Sequence, residues 1–479
     1  MQRCGKEVLM IIRQLYTNCL SEAAYFVASG AEAAIIDPIR DIDEYLDLAK
    51  QHQVTIKYIF ETHFHADFIS GHLDLSEKTG APIVYGPNTE TAFPIHLAKD
   101  GERFKIGDLT IEVIHTPGHT LESCCYLLRA ADGHAHCVFT GDTLFVGDVG
   151  RPDLSSGNLS KEELAGHLFD SLQKLKALPD EVVVYPAHGP GSSCGKNIGS
   201  ETVTTIGAQK QSNYAMKATD KGDFIQAVTE GLSDPPTYFK EDARINKEGY
   251  DALEEVLNKS NKALSVDAFK KEVSKGAWIL DTRNAEAFTE GFVPGAMNIG
   301  LQGRFAEWAG QLLPFERPVV LVTAAGDERE AIIRLARIGF HNVAGYLKGG
   351  YEAWKKSGEP IDLIINVDTE ELRLDLPFDR NLKVVDVRKP SEFAEGHIEG
   401  AYNIALDTIM DPASLAMIED EHNLYVHCQS GYRSAIASSL IKRQGFHNIR
   451  NVPGGFKAIS ATKEIPIVKG AATAFDPEG

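Results

Sequence analysis

The sequence has few of the features that mark membrane, nucleic-acid-binding and disulfide-stabilised proteins. It contains no run of about 18 apolar residues, so a membrane-spanning helix is not expected. A formal net charge of −20 argues against nucleic acid and anionic membrane surfaces as partners. Seven cysteines, none in a C-x-x-C pair, indicate free thiols in a reducing compartment, so we expect a cytoplasmic location.

An internal repeat divides the C-terminal half of the chain. The segment WILDTRNAEAFTEGFVPGAMNIGL at 278–301 matches KVVDVRKPSEFAEGHIEGAYNIAL at 383–406. Each copy alternates apolar strand-like runs with helical segments, which predicts an α/β domain with a parallel sheet. We therefore predict one domain at 262–360 and another at 366–470.

The remaining N-terminal part is long enough for a domain of its own, predicted at 10–250. We interpret residues 234–262, which open with a Pro-Pro pair after Asp234, as a linker. In this first domain, short apolar runs such as 56–62 and 137–140 end in polar loops, which is the pattern of strands in an α/β protein.

Histidine and aspartate residues follow four of these segments. One His in such a loop is commonly structural, but so many at strand ends predict a metal site. The residues stand in the motifs THFHADF, TPGHT, FTGDT and YPAHG: His63, His65, Asp67, His119, Asp142 and His188.

These motifs resemble the metallo-β-lactamase superfamily, whose HxHxDH pattern is matched at every point except Phe68. In two-metal members the Asp and His of the DH pair, with the last His, hold the second ion. An apolar ring supplies no lone pair, so Phe68 argues for one metal. Asp67 and His188, together with His65, would then support the ligands instead of binding the metal.

Within that superfamily the chain resembles the persulfide dioxygenases. The resemblance implies that His63, His119 and Asp142 form a two-His-one-carboxylate triad for one Fe(II) per chain. It also implies that Arg151 binds the anionic substrate and that Thr140 lines the pocket. Cys194, in a Gly/Ser-rich loop after His188, either contacts the substrate or lies there incidentally.

The last copy contains LYVHCQSGYRSA, in which an apolar strand ends in Cys428 and a short loop enters a helix. Backbone N–H groups of such a loop, with the helix N-terminus, favour a thiolate and a bound persulfide. Arg433 closes a C-x4-R interval, which resembles the rhodanese sulfurtransferases; the related phosphatases use C-x5-R. The first copy has VLVTAAGDEREA, and alignment on Arg329 puts Ala324 opposite the cysteine, so this copy should not transfer sulfur.

The resemblances imply an N-terminal αββα metallo-β-lactamase-like domain plus two rhodanese-like α/β domains with central parallel sheets. The expected substrates are a low-molecular-weight thiol persulfide and dioxygen, and the expected products are the thiol and sulfite, with sulfur transfer to or from thiosulfate. A glyoxalase II-type thioester hydrolase, which needs two metals, and a non-catalytic sulfur carrier stay as alternatives. The identity of the thiol and the formation of a homo-oligomer stay open.

Overall fold

The computed structural model describes residues 10–154, 159–232 and 234–470. The chain divides into two compact units. The first comprises the chain up to Val256 together with Leu335–Phe340, and the second comprises Leu257–Arg334 and the chain from His341 onward. Within the described ranges, no helix is long and apolar enough to cross a membrane.

Two six-stranded sheets form the centre of the first unit. The first sheet has its strands in sequence order: β1 (Met10–Thr17), β2 (Glu22–Ser29), β3 (Glu32–Ile36), β4 (Thr55–Phe60), β5 (Ile83–Tyr85) and β6 (His96–Leu97). The second sheet has the order β12-β11-β10-β9-β8-β7: β7 (Arg103–Ile106), β8 (Leu109–His115), β9 (Cys124–Arg129), β10 (Ala135–Gly141), β11 (Val183–Pro186) and β12 (Thr204–Thr205).

Apolar side chains of both sheets make one core, in which Phe60 contacts Phe104 and Tyr126 at ring distances of 5.3 and 4.8 Å. A second core packs helices against the other face of the second sheet. This arrangement leaves the loops after the strands to carry polar groups. The helices are α1 (Asp43–His52), α2 (His72–Thr79), α3 (Lys161–Lys176), α4 (Ile206–Ser212), α5 (Tyr214–Lys217), α6 (Lys221–Thr229), α7 (Phe239–Glu248) and α8 (Leu253–Ser260).

The predicted linker at 234–262 is wrong, because most of it folds into α7 and α8. Helix α7 is amphipathic and buries Phe239 and Ile245. Its Asn246 is also buried, and its amide donates to the carbonyls of His65 and Phe68 at 2.8 and 2.7 Å. A Pro-Pro pair therefore marks only the entry to this segment, and the segment itself supports the loop after β4.

The second unit contains the two repeated copies. The first copy has a five-stranded sheet of order β13-β17-β16-β14-β15, in which all pairs are parallel. Its elements are β13 (Ala263–Leu264), α9 (Val266–Ser274), β14 (Trp278–Asp281), α10 (Ala285–Thr289), β15 (Met297–Asn298), α11 (Phe305–Leu312), β16 (Val319–Val322), α12 (Glu328–Ala336), β17 (Val343–Leu347) and α13 (Gly350–Lys356).

The last copy has the same topology, with a parallel sheet of order β18-β23-β22-β19-β21 and a small antiparallel pair, β20-β24. Its elements are β18 (Ile365–Asn366), α14 (Thr369–Asp375), β19 (Leu382–Asp386), α15 (Pro390–Glu395), β20 (His397–Ile398), β21 (Tyr402–Asn403), β22 (Asn423–His427), α16 (Tyr432–Arg443), β23 (Ile449–Asn451), α17 (Gly455–Ile459) and β24 (Ile467–Val468). Two 3₁₀ turns lie at Leu406–Thr408 and Pro412–Leu415.

Candidate metal centre and sulfur-transfer loop

The loops after strands β4, β8 and β10 bring His63, His119 and Asp142 together. Their ligand atoms all lie within 4.8 Å of one another, and all three residues are buried. Oδ2 of Asp142 is 3.8 Å from Nε2 of His63 and 3.4 Å from Nε2 of His119. Two imidazoles and one carboxylate thus point at one small volume, as a mononuclear metal site requires.

Each of the two imidazoles is oriented by a hydrogen bond at its other nitrogen. Nδ1 of His63 lies 2.9 Å from the hydroxyl oxygen of Thr62, which itself donates to Asp37 at 2.9 Å. Nδ1 of His119 donates to the carbonyl of Arg151 at 2.8 Å. With Nδ1 protonated in each ring, Nε2 carries the lone pair that a metal needs. Burial lowers the pKa of His63 well below its usual range, and the neighbouring histidines lower it further, which keeps this ring neutral.

His65 is directed to a different set of groups. Its Nε2 lies 3.2 Å from Asp37 and 3.5 Å from Glu61. Burial opposes protonation, but the two carboxylates outweigh it and raise the pKa of His65 well above its usual range. The structure therefore places His65 as a charged partner of Asp37 and Glu61, which hold the loop between β4 and α2.

Phe68 occupies the position of the missing histidine. Its side chain is fully buried, and its ring packs against His65 in a tilted arrangement at a centroid distance of 4.3 Å. Asp67 and His188 remain close together, with Oδ2 of Asp67 3.5 Å from Nε2 of His188. The second-metal position of the two-metal pattern has thus lost its histidine, which Phe68 replaces, and has kept Asp67 and His188.

The buried carboxylate of Asp142 is a direct test of whether a cation fits. Neither of its oxygens has a hydrogen-bond partner among the described residues. Leaving a buried charged group without a partner is costly unless an ion or a proton balances it. The lone pairs of His63 and His119 face the same carboxylate, so the residues fit a divalent metal.

The three predicted substrate residues occupy different places around the triad. Arg151 is buried, and its guanidinium forms a bidentate ion pair with the carboxylate of Asp153, with both N–O distances at 2.7 Å. The hydroxyl of Thr140 donates to the carbonyl of Leu144 at 2.7 Å, so it shapes the turn that carries Asp142. Cys194 is buried, and its carbonyl accepts from the backbone N–H of Arg151 at 2.9 Å. The Cys194 and Arg151 segments are therefore joined beside the triad.

Two residues that orient this centre, Asp37 and Ser21, were not predicted from the sequence. Asp37 follows strand β3 and accepts from both the backbone N–H and the hydroxyl of Thr62. Ser21 supplies the carbonyl that faces Nδ1 of His188 at 3.2 Å. An aspartate directly after an apolar run, as in AAIIDP, was the available signal for Asp37; a backbone carbonyl leaves none.

The second candidate site is the loop between β22 and α16. Cys428 is buried, and the backbone N–H of Gly431 points at its sulfur with an N–S distance of 3.1 Å. The loop enters α16 directly, so the positive end of the helix also faces the thiol. This is the arrangement that the strand–Cys–loop–helix motif predicted.

Arg433 does not point freely towards the sulfur. Its guanidinium makes two contacts with the carboxylate of Glu392, at 2.6 and 2.8 Å. The pair ties the start of α16 to α15, so Arg433 closes the loop through Glu392. The framework residues Asp386 and Arg388 form a second buried ion pair at 2.6 Å, which Asp281 and Arg283 repeat in the first copy.

The residue opposite Cys428 in the first copy is Thr323, and the sequence alignment that chose Ala324 is wrong. Asp281 pairs with Val322 across the first sheet as Asp386 pairs with His427 across the last. In each copy a glycine with positive φ approaches the carbonyl oxygen of the residue in question. A Cβ on Gly350 would lie 2.8 Å from the carbonyl oxygen of Thr323, and a Cβ on Gly455 would lie 2.6 Å from the carbonyl oxygen of Cys428.

The loop of the first copy is therefore one residue longer than the loop of the last, a difference that alignment on Arg329 hides. Its Gly326 N–H donates to the side chain of Glu328 at 3.0 Å. The carboxylate of Glu328, the first residue of α12, thus takes an N–H that a sulfur-transfer loop would offer to sulfur. The first copy therefore lacks the cysteine nucleophile, and the Gly326 N–H of its loop is already hydrogen-bonded to Glu328.

The first copy also contacts the active loop of the last. The hydroxyl of Tyr432 donates to the carbonyl of Gly300 at 3.0 Å. Gly303 lies under the same ring, where a Cβ would come within 3.3 Å of it. Asn298 donates its backbone N–H to the hydroxyl of Ser439 on α16 at 3.0 Å. The first copy thus packs against the residue next to Arg433.

Comparison with known proteins assigns both parts of the chain. Residues 17–188 match the metallo-beta-lactamase superfamily, and residues 265–357 and 369–462 each match the rhodanese-like domain. A metallo-beta-lactamase from Staphylococcus aureus is 31% identical, with a TM-score of 0.64; the match covers 71% of this chain and 99% of that one.

Two further relatives match about half of the chain. A probable hydroxyacylglutathione hydrolase of Schizosaccharomyces pombe is 29% identical over 46% of this chain and 89% of its own length. The structure of ETHE1 from Myxococcus xanthus is 33% identical, with a TM-score of 0.43, over 50% of this chain and 98% of that one.

The chain belongs to the metallo-beta-lactamase superfamily. It is a fusion in which a metallo-beta-lactamase domain precedes two rhodanese-like domains with parallel sheets, so the predicted fold class is confirmed. The protein is accordingly an enzyme of the metallo-beta-lactamase hydrolase or oxidase type that carries sulfurtransferase-like domains.

Proposed function

We propose that the first domain oxidises a low-molecular-weight thiol persulfide with dioxygen, and that the last domain transfers sulfur through Cys428. In balance, RSSH, O₂ and H₂O give RSH, sulfite and two protons. The observation that carries the proposal is the convergence of His63, His119 and Asp142 without a fourth ligand from the motif, since His65 is turned to Asp37. Two histidines and one carboxylate, with open positions, are the ligand set of non-haem Fe(II) oxygen enzymes.

One Fe(II) per chain, held by these three residues, would supply the oxygen chemistry. The protein's part is to hold the two imidazoles and the Asp142 carboxylate in place and to exclude bulk water. The hydrogen bonds at Nδ1 orient the two rings, and the burial of all three side chains keeps water out. We assign the Arg151 guanidinium to the anionic substrate, because the backbone carbonyl of Arg151 contacts Nδ1 of His119 and so brings this residue next to the triad.

In the last domain, a Cys428 thiolate carrying a sulfane sulfur would give it to sulfite, forming thiosulfate and regenerating the thiolate. The reverse reaction would load Cys428 from thiosulfate. The N–H of Gly431 stabilises negative charge on sulfur in either direction. The sparse free cysteines suit such chemistry in a reducing, cytoplasmic setting, and all those in the described ranges are unpaired.

A thioester hydrolase is the second candidate, and the similarity to a probable hydroxyacylglutathione hydrolase favours it. Such a reaction in this superfamily rests on two metals, and Phe68 removes one ligand of the second. The test that separates the two is bound-metal analysis combined with oxygen consumption on a persulfide and hydrolysis of a glutathione thioester. We expect iron-dependent oxygen consumption and negligible hydrolysis.

Replacing Arg151 with alanine is expected to raise the KM for the persulfide roughly 10- to 100-fold, with a smaller loss in kcat. The reason is that a charge-assisted hydrogen bond to an anion contributes about 1.5–3 kcal/mol. Steady-state oxygen-electrode kinetics on the iron-loaded protein would measure both constants.

Asp153→Asn is the matched control, because it removes the carboxylate that shares the guanidinium and leaves Arg151 in place. Its KM should stay equal or fall. A large loss of kcat at unchanged KM in Arg151→Ala would instead place Arg151 in the chemical step.

A further inference from the structure

One buried carboxylate joins two loops beside the triad. The arginine loop, residues 145–151, follows β10 and carries Arg151, and the cysteine loop, residues 189–199, follows β11 and carries Cys194. Asp148 lies in the arginine loop, and its side chain is fully buried. Burying a carboxylate is costly unless hydrogen bonds satisfy both of its oxygens, so its hydrogen-bond partners show which parts of the fold it holds together.

Both oxygens of Asp148 accept hydrogen bonds, and the donors come from three segments. Oδ2 accepts from the backbone N–H of Asn197, in the cysteine loop, at 2.6 Å. Oδ1 accepts from the backbone N–H of Val149 at 2.9 Å and from the hydroxyl of Tyr214, on α5, at 3.1 Å. Hydrogen bonds to a charged acceptor are stronger than those between neutral groups. The carboxylate therefore ties its own loop to the cysteine loop and to α5.

The close approach of the cysteine loop depends on a glycine. A Cβ on Gly195 would lie 3.0 Å from Oδ2 of Asp148 and 2.8 Å from the side chain of Ile198. Glycine is suited to such a position because it has no Cβ. A larger residue would push the cysteine loop away from the carboxylate.

The arginine loop is also held by contacts that do not involve the Asp148 side chain. The amide of Asn213 donates to the backbone carbonyl of Asp148 at 3.0 Å. The N–H of Gly150 donates to the carbonyl of Asp142, a member of the triad, at 2.9 Å. Loss of the Asp148 carboxylate should therefore release the cysteine loop more than the arginine loop.

The predicted substrate residues lie where the two loops meet. The backbone N–H of Arg151 donates to the carbonyl of Cys194 at 2.9 Å, and its guanidinium donates to the carbonyl of Ser193 at 3.5 Å. The sulfur of Cys194 lies within 4.8 Å of a carboxylate oxygen of Asp142. The two loops are thus linked twice, once through Asp148 and once next to the triad.

We propose that Asp148 is a positioning residue. Its carboxylate holds the cysteine loop against the arginine loop, and so fixes Cys194 and Arg151 beside the triad. It acts through these two loops and not on the substrate itself. The consequence for persulfide binding rests on the proposed function, whereas the positioning of Cys194 does not.

The test measures how fast N-ethylmaleimide alkylates Cys194 in the iron-loaded, full-length protein without oxygen, with peptide mass spectrometry to identify the site. Cys194 is 1% exposed, so the unmodified protein should react slowly. Asp148→Asn keeps the shape of the side chain but puts an N–H donor where an acceptor is needed. We expect alkylation of Cys194 at least about tenfold faster, because the cysteine loop opens more often. The iron content should be unchanged.

Tyr214→Phe removes one hydroxyl from Oδ1 and keeps the Asn197 contact, so it should speed alkylation by a smaller factor. Asp132→Asn, on an exposed turn, is the control and should leave the alkylation rate unchanged. In oxygen-electrode assays, Asp148→Asn should raise the KM for the persulfide at least about threefold, with a smaller change in kcat.

The buried thiol of Cys137, in the core between the sheets, reports on general unfolding. The proposal is overturned if Cys194 in Asp148→Asn reacts as slowly as in the unmodified protein. It is also overturned if Cys137 becomes reactive together with Cys194, because Asp148 would then only stabilise the domain. Absence of persulfide-dependent oxygen uptake in the unmodified protein would contradict the proposed function, and the alkylation rates would still decide the role of Asp148.

Discussion

Replacing Asp142 with alanine is expected to remove the bound metal and the persulfide-dependent oxygen uptake together. Asp142 is the one anionic member of the triad, and its Oδ2 faces both imidazoles. Without it, only the two imidazoles remain, and they supply no negative charge to balance a divalent ion in a buried site. A catalytic metal lowers the activation barrier by several kcal/mol. Its loss therefore predicts a fall of at least about a thousandfold in the rate of oxygen uptake.

The measurement pairs elemental analysis with an oxygen electrode, after circular dichroism has shown that the variant is folded. His63→Ala should behave in the same way. Asp132→Ala is the control, because Asp132 lies on an exposed turn, where its carboxylate contacts His134 and no triad residue. Either triad variant that keeps its oxygen uptake would show that the ligands are misassigned.

The second large effect is expected from Cys428→Ser. The substitution preserves the size of the side chain but removes the polarisable thiolate that must attack and carry sulfur. We expect complete loss of thiosulfate:cyanide sulfurtransfer. Oxygen uptake with a small-molecule persulfide should continue, and the product should shift from thiosulfate towards sulfite. Paired oxygen-electrode and sulfite/thiosulfate assays would measure both changes.

Cys19→Ser is the control, because Cys19 lies in the first unit and belongs to neither site. Adding Thr323→Cys to the Cys428→Ser protein should not rescue transfer, since the first copy's loop is longer and Glu328 occupies its Gly326 N–H. If Cys428→Ser makes as much thiosulfate as the unmodified protein, the two sites are not coupled as proposed. If it retains iron but consumes no oxygen, Cys428 itself must deliver substrate to the metal.

The features that sequence could predict are those written in one local pattern. THFHADF, TPGHT and FTGDT each follow an apolar run, and because these loops meet at the strand ends, His63, His119 and Asp142 come together as expected. LYVHCQSGYR likewise contains the strand, the nucleophile and the helix start within ten residues, and the loop has the predicted form.

The features that sequence could not predict depend on partners distant in the chain. Asn246 donates hydrogen bonds to the loop after β4 from helix α7, about 180 residues away in sequence. This helix lies in the segment that was predicted to be a linker. Glu392 captures Arg433 from another helix. The equivalence of Thr323 with Cys428 follows from the strand register. An alignment anchored on Arg329 alone hides the extra residue in the loop of the first copy and so shifts the equivalent position by one.

Protein purified without oxygen provides the most direct test of the central claim. Its iron and zinc contents would be determined per chain, and oxygen consumption with a thiol persulfide would then be followed as iron is removed and restored. The proposed function predicts one iron per chain and a rate proportional to iron content, with sulfite as the first product. Two zinc ions per chain, together with thioester hydrolysis and no persulfide-dependent oxygen consumption, would contradict it.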